Sequence, residues 1–137
     1  MKEVEFNFQT SDRYKYFVTK EGKVFRFDTR NDKMNECYYH IAHGYKRIRV
    51  TDIETKTRRY IRVHRLVATY FVENPNPKEY NIVNHIDGDK LNNNADNLEW
   101  CNISINTQHA YDNGLIKDKG GWISTSYEKR KIINKHR

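Results

Sequence analysis

The chain has 137 residues, of which 36% are hydrophobic and 31% are charged, and its net charge is +7. This length allows one modest domain or two small cooperating units and excludes two independent cores. The positive charge favours a polyanionic partner, usually nucleic acid, although charge alone leaves a merely basic globular protein open. The two cysteines, Cys37 and Cys101, have the spacing of neither a disulfide framework nor a zinc site.

The chain carries no apolar run of the ~20 residues that a membrane helix needs. Its N-terminus also lacks the basic and apolar pattern of a signal peptide. We therefore expect no membrane partner and an intracellular location.

The first 62 residues carry the patterns of β-strands. Apolar and polar residues alternate over residues 4–8, which predicts a half-buried strand. Residues 16–18 and 24–27 flank a Lys-Glu-Gly-Lys segment at residues 20–23, where Gly22 supplies the positive φ of a tight turn. These residues predict a β-hairpin.

Residues 45–50 and 58–63 predict a second pair of strands. Ile48, Val50 and Ile61 share one face, whereas cations occupy the other. A ribbon of this width fits the major groove of B-DNA, although a charged sheet face is more often simply solvated. We find no acidic residue within either predicted strand, which favours the DNA-binding interpretation. The candidate DNA contacts in this pair are Arg47, Arg49, Arg58, Arg59 and Arg62.

The period of the apolar residues changes at Val63 and predicts an amphipathic helix that ends before the prolines of residues 74–77. A β-β-α unit follows, with strands over 82–86 and 98–101 and a helix between the N-cap Asn102 and Gly114. The predicted fold class is therefore α+β, with N-terminal antiparallel hairpins, then a helix and a ββα unit.

Residues 84–109 hold a set of side chains suited to phosphodiester hydrolysis. That reaction needs a base for the attacking water, a cation at the phosphate and an in-line geometry. His85 is a natural base, and the amide carbonyls of Asn84 and Asn106 suit a hard divalent cation. By strand alternation Asn84 points away from the face of His85, so it reaches a shared ion only where the strand ends or twists. Taken alone, His85 also fits a satisfied buried histidine, and Asn84 a loop hydrogen-bonding residue.

The run VHRLVATYFVENPNPKEYNIVNHIDGDKLNNNADNLEWCNISINTQHA resembles the HNH (ββα-metal) nuclease family, in its phage and intron-encoded homing endonuclease branch. The segments YFVTKEGKVFR and GYKRIRV resemble the small β module that precedes this unit. The resemblance implies a metal-dependent DNA endonuclease, a nickase or a double-strand cutter, acting as a monomer or homodimer. It implies one divalent ion, Mg²⁺ or Mn²⁺, and 5′-phosphate and 3′-hydroxyl products. A phage origin would place the protein in the cytoplasm of a bacterial host.

The resemblance also assigns roles to residues. His85 would be the general base, Asn106 a metal ligand, and Asn97 the brace of the loop that holds the histidine. The nickases nearest to this pattern place an aspartate at position 84 as the second ligand. This chain has Asn84 there, so His109, which follows Asn106 on the same helical face, competes with it for that role.

The same resemblance divides the chain into three parts and leaves one alternative function open. His64 is interpreted as a structural pin between the helix and the nuclease unit. The predicted parts are a β-rich DNA-binding module (1–62), an HNH nuclease unit (63–117) and a basic tail (118–137). The tail contributes the phosphate contacts Lys129, Arg130 and Lys131. The alternative is a catalytically degenerate, sequence-specific DNA-binding protein, with Asn84 as the trace of a lost ligand.

Overall fold

The structure, a computed structural model, describes residues 1–103. The predicted C-terminal helix and five site candidates lie outside the described residues: Asn106, His109, Lys129, Arg130 and Lys131. The elements are β1 (Lys2–Glu3), β2 (Tyr14–Val18), β3 (Val24–Asp28), β4 (Lys33–Glu36), β5 (His40–Ala42), β6 (Tyr45–Asp52), β7 (Thr57–Arg62), α1 (Val63–Phe71), β8 (Ile82–His85), a 3₁₀ turn (Ala95–Asn97) and β9 (Leu98–Cys101).

The described strands form three antiparallel sheets. Their orders are β1-β2-β3-β4, β5-β6-β7 and β8-β9. Helix α1 packs against strands of all three sheets. The predicted α+β class is confirmed, with the hairpins, the helix and the first two strands of the ββα unit in the expected order. Within residues 1–103, no helix has the length and apolar character needed to cross a membrane.

The predicted strand over residues 4–8 is wrong. Pairing with β2 stops at Glu3, and the next backbone contact is Val4 N–H donating to the carbonyl of Tyr16 at 2.7 Å. Phe6 instead packs its ring 5.2 Å from Phe8 and 5.5 Å from Tyr16. The alternation therefore reflects aromatic packing onto the first sheet, without a ladder of backbone hydrogen bonds.

The predicted first hairpin is confirmed, and both strands are longer than expected. Tyr14 pairs with Asp28 at one end and Val18 with Val24 at the other. Gly22 has φ +97° in the connecting turn, a conformation that side chains strongly disfavour.

The two faces predicted for the second pair of strands are also confirmed. Ile48 lies opposite Ile61 in the register of β6 and β7, and Arg49 lies opposite Tyr60. The expectation that neither strand holds an acidic residue is wrong, because β6 continues to Asp52. The alternation puts Asp52 on the packed face, so the other face keeps its cationic character.

A third strand, β5, was not predicted and joins this sheet through a two-residue turn. His43 and Gly44 form the turn with φ +54° and +85°, and Ala42 pairs with Tyr45. Two consecutive positive φ values are typical of the type I′ turn, which matches the twist of a hairpin. The turn delivers Tyr45 to the start of β6.

One continuous hydrophobic core joins the sheets and the helix. It combines residues of the first hairpin, the second sheet, α1 and the β8-β9 pair, among them Val18, Val24, Ile48, Val50, Val67, Val83 and Leu98. The core therefore crosses residue 62, the predicted boundary between the β module and the nuclease unit.

Candidate active site

His85 is the last residue of β8, and its imidazole is turned inward. The residue is 4% exposed, and its Nε2 lies 2.8 Å from Oδ1 of Asn93. A carbonyl oxygen only accepts hydrogen bonds, so in this orientation Nε2 carries the proton and donates. In the neutral ring the lone pair then resides on Nδ1. The structure thus provides a histidine with one nitrogen engaged and the other left to act as a base.

Two rings pack against this histidine and form a stack of three with it. His64, on α1, lies 4.9 Å from the ring of His85 and 5.0 Å from the ring of Tyr45, with the latter pair nearly parallel at 23°. Tyr45 in turn lies 5.8 Å from His85. The stack fixes the plane of the His85 ring from the side of the core.

Burial keeps both histidines neutral. Desolvation lowers the pKa of His64 well below its ordinary value, and the unfavourable interaction of two protonated rings with His85 so near lowers it further. Desolvation also lowers the pKa of His85, although the hydrogen bond to Asn93 and the carboxylates of Asp87 and Asp89 oppose that effect. At neutral pH His85 is therefore in the form that accepts a proton.

Asn97 holds the loop between β8 and β9 in place. Its Oδ1 accepts the Asp87 N–H at 3.0 Å, and its Nδ2 donates to Asp87 Oδ1 and to the Asn92 carbonyl, both at 2.9 Å. Its own carbonyl accepts the Ile86 N–H at 2.7 Å. A hydrogen bond from Asn92, supported by that from Asn97, lowers the pKa of the Asp87 carboxyl. These bonds clamp the residues that follow His85.

Asn84 lies on the opposite face of β8, as alternation predicts, and it has an acidic neighbour. Glu99 is its cross-strand partner, and Asn84 Nδ2 donates to Glu99 Oε1 at 3.0 Å. With its nitrogen committed, the amide presents its oxygen away from Glu99. Asn84 and His85 thus have different hydrogen-bond partners on opposite faces of β8, which ends at His85.

The donor chemistry around Asn84 fits a hard cation. An amide oxygen and a carboxylate are ligands that Mg²⁺ and Mn²⁺ accept. Among residues 1–103, no three His, Cys, Asp or Glu side chains are grouped closely enough to hold a metal ion. A site here would draw on Asn84 and Glu99 together with ligands from beyond residue 103.

The cationic face of the second sheet leads towards His85. Arg47 stacks its guanidinium 3.9 Å over the Tyr60 ring, and Arg49 is exposed beside it. Arg62 lies opposite Arg47 in the register, and its guanidinium is 5.7 Å from the ring of Tyr45. Burial, with the neighbouring Arg47, lowers the pKa of Arg62. Tyr45 thus belongs both to the cationic face and to the ring stack of His85.

The other two predicted arginines of this sheet differ from each other. Arg58 is exposed on the cationic face, opposite Thr51. Arg59 is on the packed face, where its Nη2 lies 2.9 Å and its Nε 3.0 Å from the buried Asp52 carboxylate. Desolvation alone would raise the pKa of Asp52, but hydrogen bonds from Thr55 and Arg59 outweigh it and lower the pKa. Arg59 neutralises Asp52 and does not share the face of the other four arginines.

Three residues of this site were missed by the sequence analysis. Asn93 stands in a run of three asparagines that also suits a turn, so its contact with His85 has no local signal. Glu99 emerges only once the register of β8 and β9 is known. Tyr45 was read as an ordinary strand residue, since its ring contacts come from two other elements.

The comparisons with known proteins agree on one family. Residues 62–108 match the family model described as HNH endonuclease. An uncharacterized HNH endonuclease of Acanthamoeba polyphaga mimivirus is 39% identical over 111 residues, which are 81% of this chain and 29% of that protein. YosQ of Bacillus subtilis, a SPbeta prophage-derived protein named as an HNH homing endonuclease, is 47% identical over 77% of this chain and 58% of its own length.

A solved structure gives the same result. The chain is similar to the structure titled "DNA binding and cleavage by the HNH homing endonuclease I-HmuI", with a TM-score of 0.63 and 26% identity. That match covers 88% of this chain and 63% of that one. I-HmuI itself comes from Bacillus phage SP01.

The fold and the sequence matches define an HNH-type nuclease domain. The chain carries an HNH endonuclease family domain at residues 62–108, and homing endonucleases of phage origin are among its relatives. Members of this family generally use a divalent metal ion. The chain spans less than two thirds of the length of each curated relative named above.

Proposed function

We propose that this protein is a metal-dependent DNA endonuclease that hydrolyses phosphodiester bonds to 5′-phosphate and 3′-hydroxyl ends. The observation that carries the proposal is the position of Tyr45, which joins the cationic face of the second sheet to the ring stack of His85. DNA bound on that face would lie next to the buried base His85.

His85 is the general base. Its Nδ1 takes the proton of the attacking water, while Nε2 stays bound to Asn93 and the stack keeps the ring from turning. The lowered pKa keeps the ring unprotonated before the reaction. Asn97 acts at a distance by fixing the loop that follows.

One divalent ion, Mg²⁺ or Mn²⁺, completes the site. Bound there, it would neutralise the scissile phosphate and stabilise the leaving 3′ oxygen. Asn84 supplies an amide oxygen, Glu99 adds negative charge beside it, and Asn106 is the ligand proposed from the helix. His109 is the alternative to Asn84 as the second ligand.

The cationic face binds the DNA backbone or reads the major groove. Arg47, Arg49, Arg58 and Arg62 carry this role, and Lys129, Arg130 and Lys131 add phosphate contacts from the tail. Residues 1–62 thus serve DNA binding, residues 63–117 cleavage, and residues 118–137 further backbone contacts. A monomer with one site nicks one strand, whereas a homodimer cuts both. If the chain is phage-encoded, the expected setting is the cytoplasm of a bacterial host.

The test is cleavage of supercoiled plasmid with magnesium, with manganese and with EDTA. We expect nicking or linearisation that requires the metal, and its loss in both His85→Ala and the bulkier His85→Gln, with DNA affinity retained. End-labelling then identifies the 5′-phosphate. Undiminished cleavage by both variants would refute the role of His85.

The alternative, a DNA-binding protein that has lost catalysis, is favoured by the neutral Asn84 at the ligand position. It predicts tight DNA binding without cleavage under any of the metal conditions. Metal-dependent cleavage by the wild-type chain would exclude this alternative.

A further inference from the structure

The turn of the first hairpin touches the loop that holds the proposed base. The carbonyl of Lys20 accepts the Ala95 N–H at 2.8 Å, a bond between segments far apart in sequence. Two residues along the same turn, Gly22 meets Asn93 so closely that an added Cβ would lie 2.7 Å from the Asn93 carbonyl carbon and oxygen. The turn therefore holds the backbone on both sides of Asn94.

Gly22 is required there for two separate reasons. Its φ of +97° disfavours any side chain, and the contact to Asn93 is with backbone atoms, which have no freedom to move aside. Gly44 offers a contrast, because its φ is +85° but an added Cβ would meet the flexible side chain of Lys90, at 3.0 Å. The strain is similar at the two glycines, whereas the neighbour differs.

Asn93 is the link between this turn and His85. The residue is 3% exposed, and its Oδ1 faces His85 Nε2 at 2.8 Å. Its Nδ2 is buried and has no hydrogen-bond partner among the described residues. Burying an amide whose nitrogen has no partner costs folding free energy, so packing alone does not explain an asparagine at this position. Its contribution is the oxygen acceptor that it offers to the imidazole.

We propose that the β2–β3 turn and Asn93 form a positioning unit for His85. Lys20 holds the Ala95 backbone and Gly22 packs against the Asn93 backbone. Asn93 Oδ1 in turn fixes the ring with its proton on Nε2 and its free lone pair on Nδ1. This rests on the proposed function for its catalytic meaning. Asn93 and Gly22 are positioning residues, because neither needs to touch DNA. The N-terminal hairpin thus helps to position the catalytic base, beside the DNA-binding role proposed for residues 1–62 as a whole.

The first measurement needs neither DNA nor metal. In protein labelled with ¹⁵N-histidine, two-bond proton–nitrogen correlations report which ring nitrogen carries the proton in the neutral form. We expect the Nε2–H form for His85 in the wild type and a mixture of both forms in Asn93→Leu, which keeps the volume but removes the acceptor. Asn93→Asp, which keeps an oxygen acceptor, should restore the Nε2–H form.

The second measurement is single-turnover DNA cleavage. We expect Asn93→Leu and Asn93→Ala to lower the cleavage rate roughly 10–100-fold with unchanged DNA affinity, and Asn93→Asp to recover part of the loss. Gly22→Ala should lower the thermal stability, lower the cleavage rate and alter the His85 ring signals. Gly44→Ala should lower the thermal stability and leave the rate and the ring signals unchanged.

Wild-type ring signals and rates in Asn93→Leu would overturn the role of Asn93. Equal behaviour of Gly22→Ala and Gly44→Ala would overturn the role of the turn. A wild-type chain that never cleaves DNA refutes the proposed function instead, and the ring signals still decide whether Asn93 and the turn set the state of His85.

Discussion

Asn84 and Glu99 face each other across the β8-β9 pair, with Asn84 Nδ2 donating to Glu99 Oε1 at 3.0 Å. A neutral side chain at position 84 is therefore accompanied by a carboxylate on the neighbouring strand. The negative charge that an aspartate would supply at position 84 is present, displaced by one strand.

A first prediction concerns this charge. Glu99→Gln should weaken Mn²⁺ binding roughly tenfold in the absence of DNA, because the proposed ligand Asn84 loses the adjacent negative charge while the glutamine oxygen can still accept its hydrogen bond. Isothermal titration calorimetry measures the change, and Glu54→Gln, in the exposed β6–β7 turn, is the matched control. Equal affinities in the wild type and Glu99→Gln would remove Glu99 from the site.

The reverse substitution tests Asn84 itself. Asn84→Asp should tighten metal binding without DNA, since two carboxylates then face the ion, and should lower the melting temperature of the metal-free protein through their repulsion. Calorimetry and thermal melts with and without Mn²⁺ measure both effects. Unchanged or weaker metal affinity would count against Asn84 as a ligand.

The two faces of the second sheet predict different outcomes for two arginines. Arg49→Ala should reduce the slope of log K against log salt for DNA binding by about 0.9, the contribution of one phosphate contact. Arg59→Ala should leave this slope unchanged and lower the melting temperature instead, because it strands the buried Asp52 carboxylate. Fluorescence anisotropy over a salt series separates the two. A reduced slope in Arg59→Ala would place that residue on the DNA.

The stacked histidines predict a loss of stability in acid. The folded pKa of His64 lies below the ordinary 6.5, so the unfolded chain binds more protons once the pH falls below that value. The stability is thus complete above pH 6.5 and is lost as the pH falls towards the folded pKa. His64→Gln should flatten the dependence of the free energy of unfolding on pH between about pH 8 and pH 5. His85 leaves a residual slope of the same sign, because its pKa is also lowered. Urea unfolding at each pH gives the curves, and parallel curves for the two proteins would contradict a neutral His64.

Asn97 is predicted to matter for both stability and cleavage. Asn97→Ala removes three side-chain hydrogen bonds and should lower the free energy of unfolding by about 2–3 kcal/mol. It should also slow cleavage, because the residues after His85 lose their clamp. Asn94→Ala removes one capping bond to Asp96 and should cost only about 1 kcal/mol. Denaturant melts compare the pair, and equal losses would mean that the Asn97 bonds do not act together.

Most elements of the fold could be predicted from the local periodicity of apolar residues. The alternation of Ile48 and Val50 predicted the two faces of β6, and helical spacing from Val63 predicted α1 at its observed start. The spacing of Asn84, His85 and Asn97 led to the HNH family. Each of these signals lies within a short stretch of chain, where a strand or helix must present its apolar side to a core.

Contacts between distant segments were decided by the tertiary structure alone. Residues 4–8 alternate like a strand but pack as aromatic rings, because β2 offers them a hydrophobic surface and its pairing with β1 has already ended at Glu3. Alternation with Ile61 already places Arg59 on the apolar face, but only the fold brings it against Asp52. The sequence by itself determined the family, the choice of His85 as candidate general base and the position of the cationic strands. Only the folded chain brings Gly22 to Asn93, Asn93 to His85 and Glu99 to Asn84, since a cross-strand register and a turn meeting a loop leave no periodic trace in the sequence.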